Sequence, residues 1–526
     1  MSTVPWRVHM NQSAITSEDR SDFNGTRQIQ QRNAAAARAV GDIVTSTLGP
    51  NGMEKMIVSD NGEVTITGDG STVVEQLAFE NPFARLIAAV SEDQQAAVGD
   101  GTTTAIAITT ELLTSVETLL EQGIHPTNIV DGFRKGNKVA QEAIDELSHR
   151  LDPNDGQMLR QAVASHLTGV VFGNQRTDLA DLIATAAEAV VEEAEAEHAD
   201  RIAIDTRSGQ WIDDFELLSG AVIEKTPMRP SMPTDLECAD VLLVDEPLEV
   251  GEIEHDSNVA VDTLDEYDQY LDWEERAQRG QVDQILATGA DVVFCQKRVD
   301  DRIANLLSEE GVLVTQFTVK PDLEFLSKLL DIRIVGDLAD LGEADLGQAS
   351  IRRDDDAGLF YVEKTDATAK TLVLRGSTES VAEKLESNVE EAVDLAIQLA
   401  VEGRVVSGAG ATEIELARRV RDEATLNDSR EQIAMEAFAD ALERVPKVLA
   451  RNAGLDPIDT ITDLRAAHAN GETSAGIDVT HGGTLDALEA GIVDVPAIKS
   501  EAITSATEAA NVVVSIDDVL PARELA

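Results

Sequence analysis

The order of helical and strand-like patterns along the chain constrains its fold more than any other feature. Apolar residues at helical spacing dominate up to about residue 200 and again from about residue 376, as in segments 26–50 and 381–403. Between these stretches, short apolar runs at 240–246, 291–296, 312–317 and 332–338 alternate with helical segments, which favours parallel strands joined by helices. The pattern predicts a multidomain α+β protein, in which an α/β module is inserted into a mainly α-helical body made from both ends of the chain.

The charge of the chain limits its partners. The 526 residues include 98 Asp and Glu against 42 Lys and Arg, with a formal net charge of −56 and a sequence pI near 4.3. Such a field repels nucleic acid and anionic membranes, so we expect neither as a partner. Acidic residues spread through every segment are typical of a protein in a salt-rich cytoplasm, where ions screen the repulsion. An acidic ligand-binding surface is the alternative.

Two further features bear on the compartment. Cys238 and Cys295 show neither the spacing of a metal site nor a disulfide framework, so we expect buried, reduced thiols in an intracellular protein. The first residues (MSTVPWRVHMNQS) lack the continuous apolar core of a signal peptide, and no run approaches the length that spans a bilayer. The sequence therefore predicts a cytoplasmic protein.

Nearly the same five residues occur twice, as GDGST at 68–72 and GDGTT at 99–103, each just before a segment with helical periodicity. Glycine on both sides of an aspartate permits a tight turn and a close approach of the backbone to a ligand. The helix that follows directs unpaired amides outwards, and carboxylate oxygens are ligands that Mg²⁺ prefers. One copy is most simply a surface turn. Two copies that begin two helices predict a site for a polyphosphate and its metal ion.

Other motifs for nucleotide binding or catalysis do not occur in the sequence. There is no P-loop, because no glycine is followed directly by lysine, and there is no GxGxxG turn, kinase motif set, GxSxG or HExxH. One more glycine-rich stretch, VVSGAGATEIELA at 405–417, precedes a helical segment, and a turn between two helices is an equally good interpretation of it. The paired GDG segments therefore remain the main indication of function.

Several segments together resemble one known family, the group II chaperonins, which include the archaeal thermosome and the eukaryotic cytosolic chaperonin. The resemblance covers nearly the whole chain from about residue 25, and the order and spacing of the motifs agree throughout. The segments are STLGPNGMEKM (46–56), VTITGDGST (64–72), VGDGTTTAI (98–106), QGIHPT (122–127), ATGADVVFCQK (287–297), AFADALERVPKVLARNAGLDPID (437–459) and SATEAA (505–510).

The resemblance implies three domains and a function. An equatorial ATP-binding domain takes residues 1–145 and 402–526, an intermediate domain takes 146–213 and 365–401, and an α/β apical domain takes 214–364. The acidic stretch at about 246–278 corresponds to the family's helical protrusion, a lid over the folding chamber. The implied function is ATP-dependent protein folding by a subunit of a double ring, which binds non-native protein and encloses it on ATP hydrolysis.

The resemblance also implies the residues that bind ATP and Mg²⁺. Asp100 holds the Mg²⁺, Asp69 orients the attacking water near the γ-phosphate, and Asp494 contacts the ribose. Two opposed helix N-termini and a metal ion suit a polyphosphate. The nucleotide-binding positions that match the family motifs are Thr47, Leu48, Gly49, Pro50, Asp69, Gly70, Asp100, Gly101, Thr102, Thr103, Thr104, Gly408, Asp478 and Asp494.

Four positions differ from the family pattern. The carboxylate that activates water is an aspartate in the family and Glu391 here. Asp394, one turn further along the helix, is the alternative residue for this role. Ala409 replaces the middle glycine of a GGG loop, Val170 replaces a lysine of the nucleotide-sensing loop, and Gly68 replaces an asparagine. The longer glutamate side chain displaces its carboxylate, which predicts slow hydrolysis. The alternative function is therefore a divergent structural or regulatory subunit with weak ATPase activity, in rings with identical or paralogous subunits.

Overall fold

The chain forms two compact units. Unit 1 contains the residues up to Leu151 together with those from Arg404 on, and unit 2 is the continuous stretch Asp152–Gly403. Both ends of the chain thus build one unit, and the middle builds the other. The computed structural model describes residues 38–516, apart from residues 60, 61, 63, 78, 80, 81, 152–155, 169–173, 194–197, 209–214, 250–263, 356, 377, 427 and 428.

The first part of unit 1 is mainly helical. Helix α1 is described from residue 38 and ends at residue 44, where the 3₁₀ turn Thr45–Thr47 follows. A hairpin comes next, with Met56 opposite Ile66. The elements after α1 are β1 (Lys55–Val58), β2 (Val64–Thr67), α2 (Gly70–Gln76), α3 (Pro82–Val98), α4 (Thr102–Glu121), α5 (Pro126–Leu147) and β3 (His149–Arg150).

Unit 2 combines helices with two larger sheets. Strands β4, β12 and β5 form a three-stranded sheet that packs against α7 and α11. The elements are α6 (Gln157–His166), α7 (Asn174–Glu193), β4 (Ile202–Ser208), β5 (Glu216–Leu218), β6 (Gly220–Glu224), β7 (Leu236–Val244), α8 (Leu264–Thr288), β8 (Val292–Cys295), α9 (Asp301–Glu309), β9 (Leu313–Thr315), α10 (Lys320–Leu330), β10 (Leu346–Asp354), β11 (Leu359–Glu363), β12 (Lys370–Gly376) and α11 (Glu379–Glu402).

The C-terminal part returns to unit 1. Its first strand, β13, pairs with β3 from the N-terminal part and with β16, so it joins the two parts of the unit. The elements are β13 (Arg404–Ser407), α12 (Ala411–Ala424), α13 (Glu431–Leu442), α14 (Arg444–Asn452), α15 (Pro457–Ala469), β14 (Ala475–Ile477), β15 (Thr484–Asp486), β16 (Val493–Asp494) and α16 (Pro496–Val514).

The six-stranded sheet of unit 2 differs from the predicted parallel sheet. Its order is β6–β11–β10–β7–β8–β9, and only β7, β8 and β9 run parallel to one another. The predicted strands at 240–246, 291–296 and 312–317 are confirmed as β7, β8 and β9. The prediction at 332–338 is wrong, because that run makes one isolated bridge, from Val335 to Val244. Val335 is fully buried like a strand residue, but Asp337 then caps the 3₁₀ helix Leu338–Asp340 and the ladder cannot continue.

The two cysteines lie in neighbouring strands of this sheet and differ in exposure. Cys295 in β8 is buried, as expected, but Cys238 in β7 is exposed, so the expectation of a buried thiol is wrong there.

Helix α4 lies in the core of unit 1. Ile106, Ile108 and Leu112 have no exposed surface, and the helix contacts α3, α13 and α16. A helix that is apolar on most sides is buried among other elements. Neither α4 nor any other helix in the described part of the chain is long and apolar enough to cross a membrane. The core therefore fixes the N-terminus of α4 and the GDG segment that precedes it.

Candidate nucleotide-binding site

The first GDG segment uses its aspartate to begin a helix. Asp69 is the N-cap of α2: its Oδ1 accepts the Ser71 N–H at 3.1 Å, and its Oδ2 accepts the N–H and the hydroxyl of Thr72, both at 2.8 Å. The Ser71 hydroxyl also donates to Oδ2. Burial raises the pKa of Asp69, but these hydrogen bonds outweigh it and hold the pKa below its ordinary value. Asp69 is therefore ionised at neutral pH and stabilises its own helix, a role the sequence analysis missed.

The second GDG segment places its aspartate differently. Gly101 is the N-cap of α4 in the left-handed conformation, with φ of 81°, where a side chain would be strained. Asp100 is exposed, its Oδ1 accepts the Gly101 N–H, and its carbonyl oxygen accepts Gln94 Nε2 at 2.7 Å. The helix thus presents its first amides beside an exposed carboxylate. The first turn continues with buried or partly buried hydroxyl residues, namely Thr102, Thr103 and Thr104.

The two GDG segments are in contact. A Cβ added to Gly70 would lie 2.1 Å from Thr103 Oγ1 and 2.9 Å from Val44 Cγ1, so no side chain fits between them. Gly70 is therefore required by the close approach of α2 to α4. The repeated sequence corresponds to two helix N-termini that lie against each other. Asp69 caps the first amides of α2, whereas α4 has no side-chain cap and keeps its first amides unpaired.

Helix α14 holds the loop that follows α1. Asn452 Nδ2 donates to the carbonyl oxygens of Thr45 and Leu48, at 3.1 and 2.8 Å. Gly49 has φ of 82°, and a Cβ there would lie 2.4 Å from Leu449 Cδ2. Both Asn452 and Leu449 belong to α14, so this helix determines the course of residues 47–50. Sequence reasoning missed both, because they lie about 400 residues away, and no motif connects the two segments.

The predicted residues of this loop differ in exposure. Gly49 and Pro50 are exposed and Leu48 is partly buried. Thr47 is buried, and its hydroxyl donates to the Val44 carbonyl oxygen at 2.8 Å. The exposed backbone around Gly49 is therefore the part of the loop that can approach a ligand closely, whereas the Thr47 hydroxyl is used within the chain.

The glycine-rich loop after β13 contacts the same helix. Gly410 is the N-cap of α12 with φ of 77°, and a Cβ there would lie 2.8 Å from Pro446 Cβ of α14. The Gly408 N–H donates to the Ile492 carbonyl oxygen at 2.8 Å. Ala409 has φ of 53°, which is uncommon and strained for a residue with a Cβ. The loop connects a strand to a helix, so the alternative of a helix–helix turn is wrong.

Asp478 begins a tight turn. Its Oδ1 accepts the N–H groups of Thr480 and His481, both at 2.9 Å. The hydrogen bond from the His481 amide is the main reason that the pKa of Asp478 lies below its ordinary value. The residue before it, Ile477, donates its N–H to the Ala409 carbonyl oxygen at 3.0 Å. The turn is thus fixed to the glycine-rich loop.

Asp494 is paired with a buried lysine. Lys499 Nζ lies 2.7 Å from Asp494 Oδ2 and 2.5 Å from Glu413 Oε1. Lys499 and Glu413 are only 8% and 2% exposed. Burial lowers the pKa of Lys499, but the two carboxylates outweigh it and raise the pKa above its ordinary value. Asp494 keeps 43% of its side chain exposed and contacts the lysine through one oxygen, so it remains accessible.

The predicted catalytic carboxylate belongs to the other unit. Glu391 lies on α11 in unit 2, whereas all the predicted nucleotide-binding residues lie in unit 1. Its Oε2 is 3.6 Å from His166 Nε2 of α6, and 48% of its side chain is exposed. Asp394 follows on the same helix. Val170 lies outside the described residues.

The donors at the start of α4 suit Mg²⁺. The Asp100 carboxylate and the threonine hydroxyls are oxygen ligands, and Mg²⁺ usually takes only one or two protein carboxylates together with phosphate oxygens and water. Within the ranges that the structure describes, no group of three or more His, Cys, Asp or Glu side chains is placed to hold a metal ion. Asp100 is the exposed carboxylate beside the paired helix N-termini.

Comparisons with known proteins identify the family. Residues 40–524 match the family model of the TCP-1/cpn60 chaperonin family. Thermosome subunit 2 of Haloferax volcanii is 45% identical over 99% of this chain and 94% of its own length. Thermosome subunit beta of Halobacterium salinarum is 45% identical over 95% of this chain and 91% of its own length. A thermosome subunit of Methanopyrus kandleri is 40% identical over 95% and 93%.

The chain belongs to the TCP-1/cpn60 chaperonin family, and the predicted chaperonin fold is confirmed. The similar proteins are thermosome subunits, so the prediction of a group II chaperonin subunit that folds proteins is also confirmed. Members of this family are ATPases, which supports ATPase activity and ATP as the nucleotide. Two of these relatives come from halophilic archaea, in agreement with the halophilic character expected from the net charge.

Proposed function

We propose that this chaperonin subunit binds ATP with Mg²⁺ at the paired starts of α2 and α4, and that hydrolysis encloses non-native protein in stacked rings of identical or paralogous subunits. The contact between Gly70 and Thr103 carries the proposal, because it brings two helix N-termini together. Each N-terminus has a partial positive charge, and α4, which has no side-chain cap, also has unpaired amides. Two of them side by side provide a stronger site for a polyphosphate than either alone.

The carboxylates have separate tasks in this proposal. Asp100 holds the Mg²⁺, which when bound neutralises charge on the phosphates. Asp69 orients the attacking water: it is ionised, and its Oδ1 accepts one hydrogen bond from Ser71, which leaves a lone pair for water. Asp494 contacts the ribose with the oxygen that does not face Lys499. The remaining contacts to the nucleotide come from residues 47–50, Gly70, 101–104, Gly408 and Asp478.

The same proposal assigns the domains. Unit 1 corresponds to the equatorial domain, residues 1–145 and 402–526. Strands β4 and β12 with α6, α7 and α11 correspond to the intermediate domain, 146–213 and 365–401, and the six-stranded sheet to the apical domain, 214–364. Strand β5 pairs with β12 but lies just inside the apical range. Most of the proposed protrusion, about 246–278, lies outside the described residues or within the start of α8. The net charge of −56 supports a salt-rich cytoplasm as the compartment.

Refolding of a denatured protein in molar KCl tests this function. We expect native chaperonin to restore the activity of the substrate protein only when ATP and Mg²⁺ are both present, and to protect the substrate from protease during that time. Light scattering should show a ring-sized particle in the same buffer. ATP-independent refolding, or an ATPase that never protects a substrate, would refute the coupling.

One observation favours a second candidate, a structural or regulatory subunit with weak ATPase activity. The family aspartate is Glu391 here, and its carboxylate already contacts His166. A displacement of ~1 Å in a reacting group can lower the rate by ~100-fold. Glu391→Asp should then raise turnover at saturating ATP with little change in affinity, and Glu391→Ala should lower it. A slower aspartate variant would show that the site is adapted to glutamate, and an unaffected alanine variant would transfer the role to Asp394.

A further inference from the structure

The first turn of α16 joins parts of the site that are far apart in the sequence. The Ile498 carbonyl oxygen accepts Gln94 Nε2 at 3.2 Å, and the same amide nitrogen donates to the Asp100 carbonyl oxygen at 2.7 Å. The next residue, Lys499, lies 2.7 Å from Asp494. Two consecutive residues of one helical turn therefore hold the second GDG segment and the carboxylate proposed to contact the ribose.

Gln94 is a buried amide whose orientation is determined by its partners. It has no exposed surface, and both of its hydrogen bonds go to carbonyl oxygens, which only accept. The reverse orientation would place Oε1 against two other oxygens. The backbone of the GDG segment lies directly on this contact, since a Cβ on Gly101 would be 2.6 Å from Ile498 Cγ2 and 2.9 Å from Gln94 Nε2. Gln94 thus fixes the backbone that carries Asp100.

Lys499 fixes Asp494 through charge. The ammonium group is buried between Asp494, which is partly exposed, and Glu413, which is almost fully buried in the first turn of α12. A charge-assisted hydrogen bond is about twice as strong as a neutral one, so it holds one Asp494 oxygen in place and leaves the other available. The contact to Glu413 attaches the start of α12, and with it the glycine-rich loop, to the same lysine.

We propose that Gln94 and Lys499 are positioning residues of the ATP site. Gln94 sets the place of Asp100 and of the metal ion it holds, and Lys499 sets the place of Asp494 and thereby the recognition of the ribose. The inference rests on the proposed nucleotide site. Because one turn of α16 carries both contacts, it keeps the metal-binding end and the ribose end at a fixed separation, which favours a nucleoside triphosphate over a bare polyphosphate.

The lysine is tested by comparing two variants of the full-length chain. Lys499→Met alone would leave the buried Glu413 carboxylate without its cation, which destabilises a fold. The double variant Lys499→Met/Glu413→Gln avoids this, and Glu413→Gln alone is its matched control, because it keeps the Lys499–Asp494 pair. Binding of Mg²⁺-ATP and of Mg²⁺-tripolyphosphate is measured by calorimetry in molar KCl. We expect the double variant to bind ATP about 10-fold more weakly than the Glu413→Gln control does, with the same tripolyphosphate affinity in both variants.

The role of Gln94 is tested by measuring how ATP binding depends on the Mg²⁺ concentration. Gln94→Met keeps the length of the side chain and removes the two donors, and Gln95→Met is the matched control at the exposed neighbouring position. We expect Gln94→Met to need about 10-fold more Mg²⁺ for half-maximal ATP binding, with the ratio of ATP to tripolyphosphate affinity unchanged. Gln94→Glu, which presents oxygens to the two carbonyl groups, should need still more Mg²⁺.

The outcomes separate this inference from the proposal it rests on. A native chain that binds no Mg²⁺-ATP would overturn the nucleotide site and the inference with it. The inference alone would be overturned if the native chain binds Mg²⁺-ATP but the double variant keeps the native preference for ATP over tripolyphosphate. An unchanged Mg²⁺ requirement in Gln94→Met would overturn it too. Equal weakening of ATP and tripolyphosphate in the double variant would show a merely structural lysine and would also overturn it.

Discussion

The two GDG segments have nearly the same sequence and use it in different ways. In the first, the Asp69 carboxylate accepts hydrogen bonds from Ser71 and Thr72 and caps α2. In the second, Gly101 takes the capping position in the left-handed conformation, and Asp100 is exposed in front of α4. One residue further along the chain, Gly70 is part of its helix and packs against Thr103. A shift of one residue in the start of the helix thus separates an exposed aspartate from one that caps its helix.

This difference supports the proposal that the repeat forms one site. The first segment supplies a rigid, closely packed helix start, and the second supplies an accessible carboxylate beside its own helix start. Two copies of the second arrangement would place two exposed carboxylates close together, and two like charges there would repel the phosphates as well as each other. The asymmetry therefore suits one polyphosphate with one metal ion.

The largest expected effect is on ATPase activity and distinguishes Asp100 from Asp69. Asp100→Asn should lower Mg²⁺-dependent ATP turnover by at least ~100-fold, because the metal loses its protein carboxylate, while the free energy of unfolding stays within about 0.5 kcal/mol. Asp69→Ala should lower turnover as well, because Asp69 orients the attacking water, but unlike Asp100→Asn it should also lower stability through loss of the helix cap. Turnover assays and chemical denaturation of both variants check this. The comparison is wrong if Asp100→Asn is as active as the native chain.

The next largest expected effect is on stability and distinguishes Gly70 from Gly68. Gly70→Ala should destabilise unit 1 by about 2 kcal/mol and weaken ATP binding, because the added methyl overlaps Thr103 and Val44. Gly68→Ala is the matched control. A Cβ there meets only Glu54 Cγ at 3.9 Å, so its stability should change by less than about 0.5 kcal/mol. Equal melting temperatures for the two variants would show that α2 and α4 are not in close contact.

A smaller effect concerns the helix cap and its dependence on pH. Replacing Asp69 by Ala should reduce the free energy of unfolding by about 1 kcal/mol at neutral pH through loss of the cap. The folded state lowers the pKa of Asp69, so the carboxylate stabilises the fold above its ordinary pKa of about 3.9 and loses this contribution as the pH falls through the folded value. Denaturation curves of native and variant chains should therefore converge below about pH 4. A difference that persists at low pH would contradict the capping role.

The smallest effect concerns the third glycine-rich loop. Ala409 has a left-handed φ of 53°, a conformation that glycine adopts without strain. Ala409→Gly should therefore stabilise unit 1 by about 0.5–1 kcal/mol. Ala417→Gly, inside α12, is a control with the opposite sign, because glycine destabilises a helix interior by about 1 kcal/mol. Thermal unfolding measures both, and a destabilised Ala409→Gly would mean that the loop needs the methyl group.

Local patterns in the sequence predicted the helices and strands better than they predicted the contacts between them. The strands β7, β8 and β9 follow from short apolar runs between helices, and the starts of α2 and α4 follow from the GDG segments. The run at 332–338 was wrongly predicted as a strand, because Val335 is as buried as a strand residue but makes a single bridge. Burial alone does not distinguish a bridge from a ladder.

The contacts that shape the site could not be read from the sequence. Asn452 holds the loop at 45–48, Gln94 holds Asp100, and Lys499 holds Asp494. None of these side chains belongs to a motif with a mechanism of its own, and the first pair is separated by about 400 residues. Their partners are backbone carbonyls or a carboxylate, which many side chains contact equally well. Only the packing of α3, α14 and α16 around α4 brings them to their places.

The number of ATP molecules bound per chain tests most directly whether the two GDG segments form one site. Calorimetric titration of the full-length native chain with Mg²⁺-ATP in molar KCl should give one ATP per chain, and Gly70→Ala in the first segment and Asp100→Asn in the second should each weaken that same binding. Two ATP molecules per native chain, or one that is unaffected by a change in either segment, would contradict the account.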